Sequence, residues 1–316
     1  GEFGKMYVSL SSDGNTVATG ASAFDTSLAG KYAAVYRYNT ATNIWDQLGS
    51  NITGTGSLFG FAVKLTPDGN TIAIGSYTSC VEVFDYNSST SSWVQKGSDL
   101  IPPNGHGDFG YIVDITPDGN KVAVNGGRYA SVWTYSNNAW SSSTFDTGVP
   151  YGTSGVAMSD DGNTVVCGAN LSSSARVYSF ANNTWSPLGN TITSTSGTQF
   201  GVRARISSDG SIIALCANTS DIDGTDRGHV GVYKYVNNVW SQLGRDIVGE
   251  ANGDNSGYLG LSEDGLTVSI AAPGNDDNGD NSGHVRVYTI KEGVEASRYT
   301  VTVSGDPAVF YIDETP

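Results

Sequence analysis

Short apolar runs alternate with polar turns along this chain, and the alternation itself repeats. In "LTPDGNTIAIGS" (65–76), apolar and polar positions alternate on both sides of Asp68-Gly69, which predicts two short strands around a tight turn. Versions of the turn fall at Asp13, Asp68, Asp118, Asp161, Asp209 and Asp264, spaced 43 to 55 residues apart. Pro67 suits the second position of a type I turn, Asp68 the third, and Gly69 the left-handed residue of a G1 bulge. A third strand follows each hairpin: "AAVYRY" (33–38), "VEVFDY" (81–86), "ASVWTY" (130–135), "ARVYSF" (175–180), "VGVYKY" (230–235) and "VRVYTI" (285–290). Val on one face and aromatics on the other predict a strand covered on both sides. A fourth strand centres on Trp45, Trp93, Trp140, Trp185 and Trp240, and the sixth repeat lacks this Trp. A polar loop then closes the cycle, ending in Phe59-Gly60, Phe109-Gly110 or Phe200-Gly201 in three cases.

Four antiparallel strands per repeat of this length is the pattern of a β-propeller blade. One such sheet has two apolar faces and cannot bury both alone. Blades packed face to face in a ring bury every face. A β-helix has shorter rungs and lacks the hairpin turns. The expectation is an all-β, six-bladed β-propeller with four antiparallel strands per blade. Its blades are expected at about 6–58, 59–108, 109–152, 153–199, 200–255 and 256–305. Residues 1–5 read as an expression scar, with Phe3-Gly4 a chance match, before a propeller over 6–292. Within 293–316, "RYTVTVSG" (298–305) is expected to supply the outer strand of blade six, and "AVFYIDET" (308–315) to pair with it or to open a further β-domain. The tail "YTVTVSG…VFYID" also resembles the start of a small β-domain of marine viral and microbial surface proteins, which implies a longer parent chain.

Formal charge is −15, and phosphate backbones and anionic membrane surfaces repel such a chain, so nucleic acid is not an expected partner. No apolar run approaches the ~20 residues of a membrane-spanning helix, so membrane insertion is not expected either. Cys80, Cys167 and Cys216 are an odd set without paired spacing, which predicts small buried side chains and no disulfide framework.

The combination "FG-x-x-V-x-L-x-x-DG-x-x-x-A-x-G-A" followed by "G-x-V-x-VY" resembles the FG-GAP repeats of integrin α-subunit propellers. Its pieces are Phe59-Gly60, Phe109-Gly110 and Phe200-Gly201, with Gly20-Ala21, Gly168-Ala169 and Ala272-Pro273 on the second strand. The resemblance implies extracellular ligand binding by loops on one face, with Ca²⁺ in some blades. Integrin-type repeats carry a D-x-D-x-D-G-like loop between the first two strands. Here that position holds only the tight Asp-Gly turn, too short to wrap an ion that takes 6–8 oxygens.

Function on a repeat scaffold is expected where the copies differ. The connection between second and third strands is short in blades two to four and long in blade one ("SAFDTSLAGKY"), blade five ("NTSDIDGTDRGH") and blade six ("PGNDDNGDNSGH"). In a closed ring these three are neighbours. Asp221, Asp223 and Asp226 around Gly224 are candidate Ca²⁺ ligands, as are Asp276, Asp277, Asn278 and Asp280 around Gly279. The competing reading is that Asp, Asn and Gly favour turns on their own account. Asp25, Asp254 and Tyr258 are candidate ligand-binding residues in the same sector.

The Trp series recurs at one repeat position and reads as packing between blades. Tyr77, Tyr129, Tyr151 and Tyr258 are the better candidates for sugar stacking. His229 and His284 share a position before the third strand, and His106 stands in a loop, with no zinc or nucleophile–base spacing. Arg203 and Arg205 fall on an innermost strand. "SSDGNT" is one residue short of the sialidase Asp-box and lacks its Trp.

The expected function is therefore a non-catalytic binding or adhesion propeller, exposed on a cell or virion surface. It would recognise a glycan or protein ligand through the long loops, with Ca²⁺ as the ordering ion. The alternatives are a glycan hydrolase or lyase using the central channel, which needs carboxylates with a His, Tyr or Arg converging there, and a structural spacer.

Overall fold

The computed structural model describes residues 3–22, 31–77, 79–102, 107–148, 153–194, 199–290, 297–304 and 309–314. Six antiparallel sheets form the blades of a six-bladed β-propeller, and no α-helix occurs among the described residues. The chain divides into two compact units, Gly1–Thr147 with blades 1–3 and Gly148–Pro316 with blades 4–6.

In the first unit, blade 1 runs Phe3–Leu10, Thr16–Ala21, Tyr32–Asn39 and Ile44–Gln47. Blade 2 runs Phe59–Leu65, Thr71–Ser76, Cys80–Asn87 and Ser92–Gln95, and blade 3 runs Val113–Ile115, Lys121–Gly126, Tyr129–Ser136 and Ala139–Asp146. In the second unit, blade 4 comprises Thr153–Met158, Thr164–Ala169, Ser174–Ala181 and Thr184–Pro187. Blade 5 comprises Arg203–Ile206, Ile212–Ala217, His229–Val236 and Val239–Gln242, and blade 6 opens with Tyr258–Leu261, Thr267–Ala272 and His284–Thr289. Ser297–Ser304 pairs beside His284–Thr289 as a fourth strand, and Val309–Glu314 pairs in turn with Ser297–Ser304. At the other end, the first strand starts at Phe3, inside the segment read as a scar, and Phe3 pairs with Ala21 across a bulge.

The Asp-Gly turns have the geometry their residues predict. Gly69 N–H donates to the Thr66 carbonyl, and Gly69 takes φ +67°, which only glycine adopts without strain. The aspartate is consumed by the turn. Asp68 Oδ1 accepts the Thr66 hydroxyl at 2.6 Å and the Asn70 N–H at 3.0 Å, and Oδ2 accepts the Asn70 amide. The same box recurs around Asp13, Asp118 and Asp161, and with Ser211 and Leu266 in place of Asn around Asp209 and Asp264.

The cores are seams between blades. Phe59, Val63 and Ile74 of blade 2 meet Ala18, Val35 and Ile52 of blade 1, and Phe200, Leu215 and Tyr233 of blade 5 meet Val166, Val177 and Ile192 of blade 4. The third strands show why their two faces differ. Tyr233 packs toward blade 4, while Val230 and Val232 pack toward Leu259 and Ile270 of blade 6. Trp45, Trp93, Trp140, Trp185 and Trp240 each pack at a tilt against the aromatic of their own third strand, and three of them clasp the previous blade. Trp93 Nε1 donates to the Leu48 carbonyl, Trp140 to Lys96 and Trp240 to Leu188, at 2.8, 2.6 and 2.8 Å. The chain then turns back, so that Ile52, Leu100, Ile192 and Ile247 bridge to the start of the third strand.

The Phe-Gly motif has a packing reason. Phe59, Phe109 and Phe200 are fully buried. Gly201, at φ +88°, brings its carbonyl against Gly168 so closely that a methyl group on Gly168 would overlap it. Gly60 meets Gly20 and Gly110 meets Gly75 in the same way.

Gly168→Ala is expected to cost about 1–3 kcal/mol or more by forcing blades 4 and 5 apart, read as a lower urea midpoint. Acid should also weaken the fold. At Asp13 and Asp264 the serine hydroxyl, and then the turn N–H, hold the carboxyl below its ordinary 3.8. At Asp68, Asp118 and Asp209 partial burial opposes ionisation, and the hydroxyl and N–H donors outweigh it. The native state therefore binds fewer protons than the unfolded chain just below pH 3.8. The stabilisation is complete above that value and is lost as pH falls through the lowered native pKa values. Thermal melts between pH 6 and pH 2 should show the drop beginning near pH ~4, and Asp68→Asn should make it shallower.

Candidate functional site

At the end of each blade opposite the Asp-Gly turns lie the connections between second and third strands and between successive blades. In the second unit three of these connections lock together. Gly249 N–H donates to the Gly228 carbonyl, Gly253 to Thr225, Asn255 to Asp226 and Ser256 to Arg227, all between 2.9 and 3.0 Å. Gly274 N–H then donates to the Asp254 carbonyl at 3.1 Å. The long loops of blades 5 and 6 thus form one hydrogen-bonded platform around the segment 249–257.

This platform explains where the acidic residues go. Asp254 is 1% exposed, and its Oδ2 accepts the N–H groups of Glu250 and Ala251 at 2.9 and 3.0 Å, with Asn275 beside it. It holds the loop rather than offering itself to a ligand. Asp221 Oδ1 accepts the Asp226 N–H at 2.9 Å, while Asp223 and Asp226 take φ +57° and +50°. Asp276 Oδ1 accepts the Asn281 N–H at 2.7 Å, and Asp280 accepts the Asn281 amide. These are side-chain-to-backbone turns of the kind Asp and Asn favour. Among the described residues, the groups whose ligand atoms converge within 4.8 Å include none of Asp221, Asp223, Asp226, Asp276 or Asp280, and only Asp277 joins one. Asn278 lies in the same exposed loop. Asp25, Tyr151 and His106 lie outside the described residues.

Asp277 meets Glu250 and His284. Between the carboxylates lies Arg286, 5% exposed, which pairs with Glu250 Oε2 and stands 4.0 Å from Asp277 Oδ2. The guanidinium already supplies the positive charge that a metal would bring. Sequence reasoning passed over Glu250 and Arg286. Their signal is the third residue of the third strand, occupied by Ala34, Glu82, Ser131, Arg176, Gly231 and Arg286 in the six blades. A charged residue at an inward strand position needs a partner, and the preceding loop supplies one.

On the first strands of blades 5 and 6, which run side by side, the Arg203 guanidinium carbon lies 3.9 Å over the Tyr258 ring centroid. Tyr258 is 41% exposed. This pair joins a flat aromatic face to a planar cation with five donors. It lies in the same end of blade 6 as His284. Tyr258 pairs with Ala271 and His284 with Ala272, so the two sit about two strand spacings, or ~10 Å, apart. His229, by contrast, is buried and stacks on Phe200 at 5.8 Å, and burial holds its imidazole below the usual pKa, neutral.

The first unit offers a different surface. Phe61, Tyr77 and Tyr111 cluster with centroids 5.2–5.7 Å apart, and the Tyr77 hydroxyl donates to Asp108 at 2.8 Å. Lys64 and Asp114, on neighbouring first strands, pair at 3.0 Å. Tyr129 remains at the surface. Cys80, Cys167 and Cys216 are all buried and free, and burial raises the Cys167 and Cys216 thiols to about 12 and about 11.

No protein-family model and no curated protein matches this sequence. Solved structures do share its fold. The periplasmic gluconolactonase PpgL of Pseudomonas aeruginosa superposes with a TM-score of 0.59 at 15% identity, over 92% of this chain and 84% of that one. A Bacteroides fragilis protein assigned as a 6-phosphogluconolactonase gives 0.60 at 12% identity, over 92% and 83%. Hydrazine synthase of Kuenenia stuttgartiensis gives 0.58 at 15% identity, over 90% and 76%. The propeller is thereby shared along nearly the whole chain. The expectation of a non-catalytic chain is corrected by these neighbours: propellers of this shape include structures named as lactonases, which hydrolyse. The absence of a familiar catalytic motif was no argument against catalysis, since sites on this fold are assembled from separate blades.

Asp254→Ala should remove three donors' common acceptor and cost about 1–3 kcal/mol. Asp221→Ala, at the surface, should cost less. Melting of both variants in CaCl₂ and in EDTA separates a loop-holding role from an ion-holding one: an ion bound only by the folded state raises the melting temperature, and losing its ligand removes the rise.

Proposed function

We propose that this propeller is a carbohydrate-active hydrolase whose substrate is a sugar-acid lactone or a related acidic sugar ester. The observation that carries the reading is the Arg203–Tyr258 pair, a guanidinium stacked on an exposed ring where two first strands run side by side. The hydrolase alternative required carboxylates with a His, Tyr or Arg converging at the channel, and Arg203 and Tyr258 are the Arg and Tyr part of that set. The names of the lactonase neighbours supply the substrate class.

In this reading the Tyr258 ring takes the apolar C–H face of the sugar, and Arg203 faces its carbonyl. Water adds to the carbonyl carbon, and the electron pair of the C=O moves onto oxygen. The guanidinium stabilises that charge, the kind of electrostatic contribution that is commonly the largest in acyl transfer. The ring C–O bond then breaks, the ring oxygen takes up a proton, and the product carboxylate remains paired to Arg203. His284, flanked by Glu250 and Asp277, is the proton-handling group in the same end of blade 6. Arg286, buried between those acids, positions them and balances their charge. The FG-GAP-like repeats serve blade packing in this reading, through the Phe-Gly contacts.

The test is acid release from glucono-δ-lactone in a pH-stat, corrected for spontaneous opening. The wild-type chain should exceed the blank. Arg203→Ala should lower kcat/KM by about a hundredfold, the scale for removing one oxyanion donor, and Tyr258→Ala should act mainly on KM. A wild-type rate equal to the blank for free and phosphorylated sugar lactones alike would overturn the reading, as would an unchanged Arg203→Ala variant.

A further inference from the structure

Blade 2 carries a second constellation, unrelated to the lactone reading. At the start of its third strand, Cys80 and Glu82 project from the same face, and Asp99 reaches them from the segment that turns back after the fourth strand. The sulfur and the two carboxylates bring one ligand atom each within 4.8 Å of one another. Cys80 Sγ is 3.8 Å from Glu82 Oε1. Two ligands of a tetrahedral zinc, one sulfur and one oxygen, stand about 3.6 Å apart at ordinary Zn–S and Zn–O lengths.

Burial makes the cluster unusual. Cys80 is 4% exposed and Glu82 1%. An ionised carboxylate so buried is costly unless a positive charge accompanies it. Among the described residues, no lysine or arginine pairs with Glu82 or Asp99. Glu82 accepts the Thr55 N–H at 2.9 Å and the Thr55 hydroxyl at 3.4 Å, with the Gly56 N–H and the Cys80 thiol beside it, and Asp99 accepts Thr55 and Gln95, all of them neutral donors. At the same strand position two other blades carry a cation. Blade 6 has Arg286 against Glu250, and blade 4 has Arg176 against Thr191. Blade 2 is the copy in which the strand residue and the loop residue are both acidic.

A second observation points to the same spot. The Ser76 hydroxyl is fully buried and makes no hydrogen bond. It stands beside the Cys80 sulfur, outside hydrogen-bond geometry. Ser76 Oγ and Cys80 Sγ crowd one point, the place a side chain on Gly56 would occupy, and Glu82 Oε1 crowds the corresponding place on Gly54. The strap over the cluster therefore has glycine at both crossing points, and the Ser76 oxygen is aimed into the space beneath it.

We propose that Cys80, Glu82 and Asp99, with the Ser76 hydroxyl or a water as fourth donor, bind a zinc-class divalent cation. One thiolate with oxygen donors selects zinc or cobalt over calcium and magnesium, which avoid sulfur. The ion neutralises the buried Glu82 and the half-buried Asp99 and ties the strap between blades 1 and 2 to the third strand of blade 2. Its role is structural, and the thiol releases its proton on binding.

The full chain, stripped with a chelator and kept reduced, is titrated with Co²⁺. The expected result is a thiolate-to-cobalt charge-transfer band with tetrahedral visible bands at one equivalent, displaced by Zn²⁺, and a melting temperature several degrees higher with zinc. Cys80→Ser should abolish the charge-transfer band, and Glu82→Gln and Asp99→Asn should each weaken binding by at least about tenfold. No thiolate band in the wild-type chain overturns the proposal. So does a band that survives Cys80→Ser, which would move the site to Cys167 or Cys216. Should Cys80→Ser fail to fold, the two isosteric variants decide, and unchanged cobalt affinity in both overturns it equally.

Discussion

Everything in this molecule depends on one constraint: a four-stranded sheet of alternating valines and aromatics has two apolar faces and no depth of its own. Each blade is stable only against a neighbour. The cores accordingly lie in the seams, not within blades, and the strongest sequence features act across them. Burial of Phe59, Phe109 and Phe200 supplies the hydrophobic part. The indole N–H of each clasping Trp, given to a carbonyl of the previous blade, sets how far one sheet slides over the next. The tight glycine contacts set how closely they approach. A propeller assembled this way has little freedom in its strands, so variation accumulates in the loops at one end.

Much of this was legible in the residues. Pro67, Asp68 and Gly69 state their turn type, because a fixed φ, a local acceptor and a left-handed residue are each local properties. Burial of both strand faces follows from the Val–aromatic alternation, and the shared position of the tryptophans announced contacts between blades. Less legible were relations that need two distant segments at once. The Ile or Leu seven residues after Trp45, Trp93, Trp185 and Trp240 bridges back to the third strand, a regular spacing that means nothing until the strand it meets is known. The acidic loops show the same difficulty for a physical reason. Asp221, Asp254 and Asp276 have the composition of an ion site, but an aspartate satisfied by the N–H groups of its own turn has little left for an ion. Composition records the presence of an oxygen and not its direction.

Function was less legible still, because chemistry on a repeat fold is made by juxtaposition. Arg203 belongs to blade 5 and Tyr258 to blade 6, and 55 residues separate them in the chain. Glu250 and Arg286 are separated by 36. No spacing rule connects such pairs; the seam does.

One position shows how a repeat becomes specific. The third residue of the third strand meets the preceding loop in blades 2 and 6, where Thr55 bonds Glu82 and Glu250 pairs with Arg286. With Ala34 or Gly231 there, the seam closes on itself. With Arg176 or Arg286, it needs an acceptor: Thr191, from blade 4's own turned-back segment, meets Arg176, and Glu250, from the loop before blade 6, meets Arg286. With Glu82, it needs a donor or a cation, and the segment supplies another acid, Asp99, with a cysteine at its side. The backbone is the same in each case, so the difference in binding chemistry follows from charge balance in a buried place. A buried Glu82 beside a half-buried second acid, without a counter-charge, is the least stable of these arrangements, and a bound cation is the arrangement that resolves it while keeping both acids ionised.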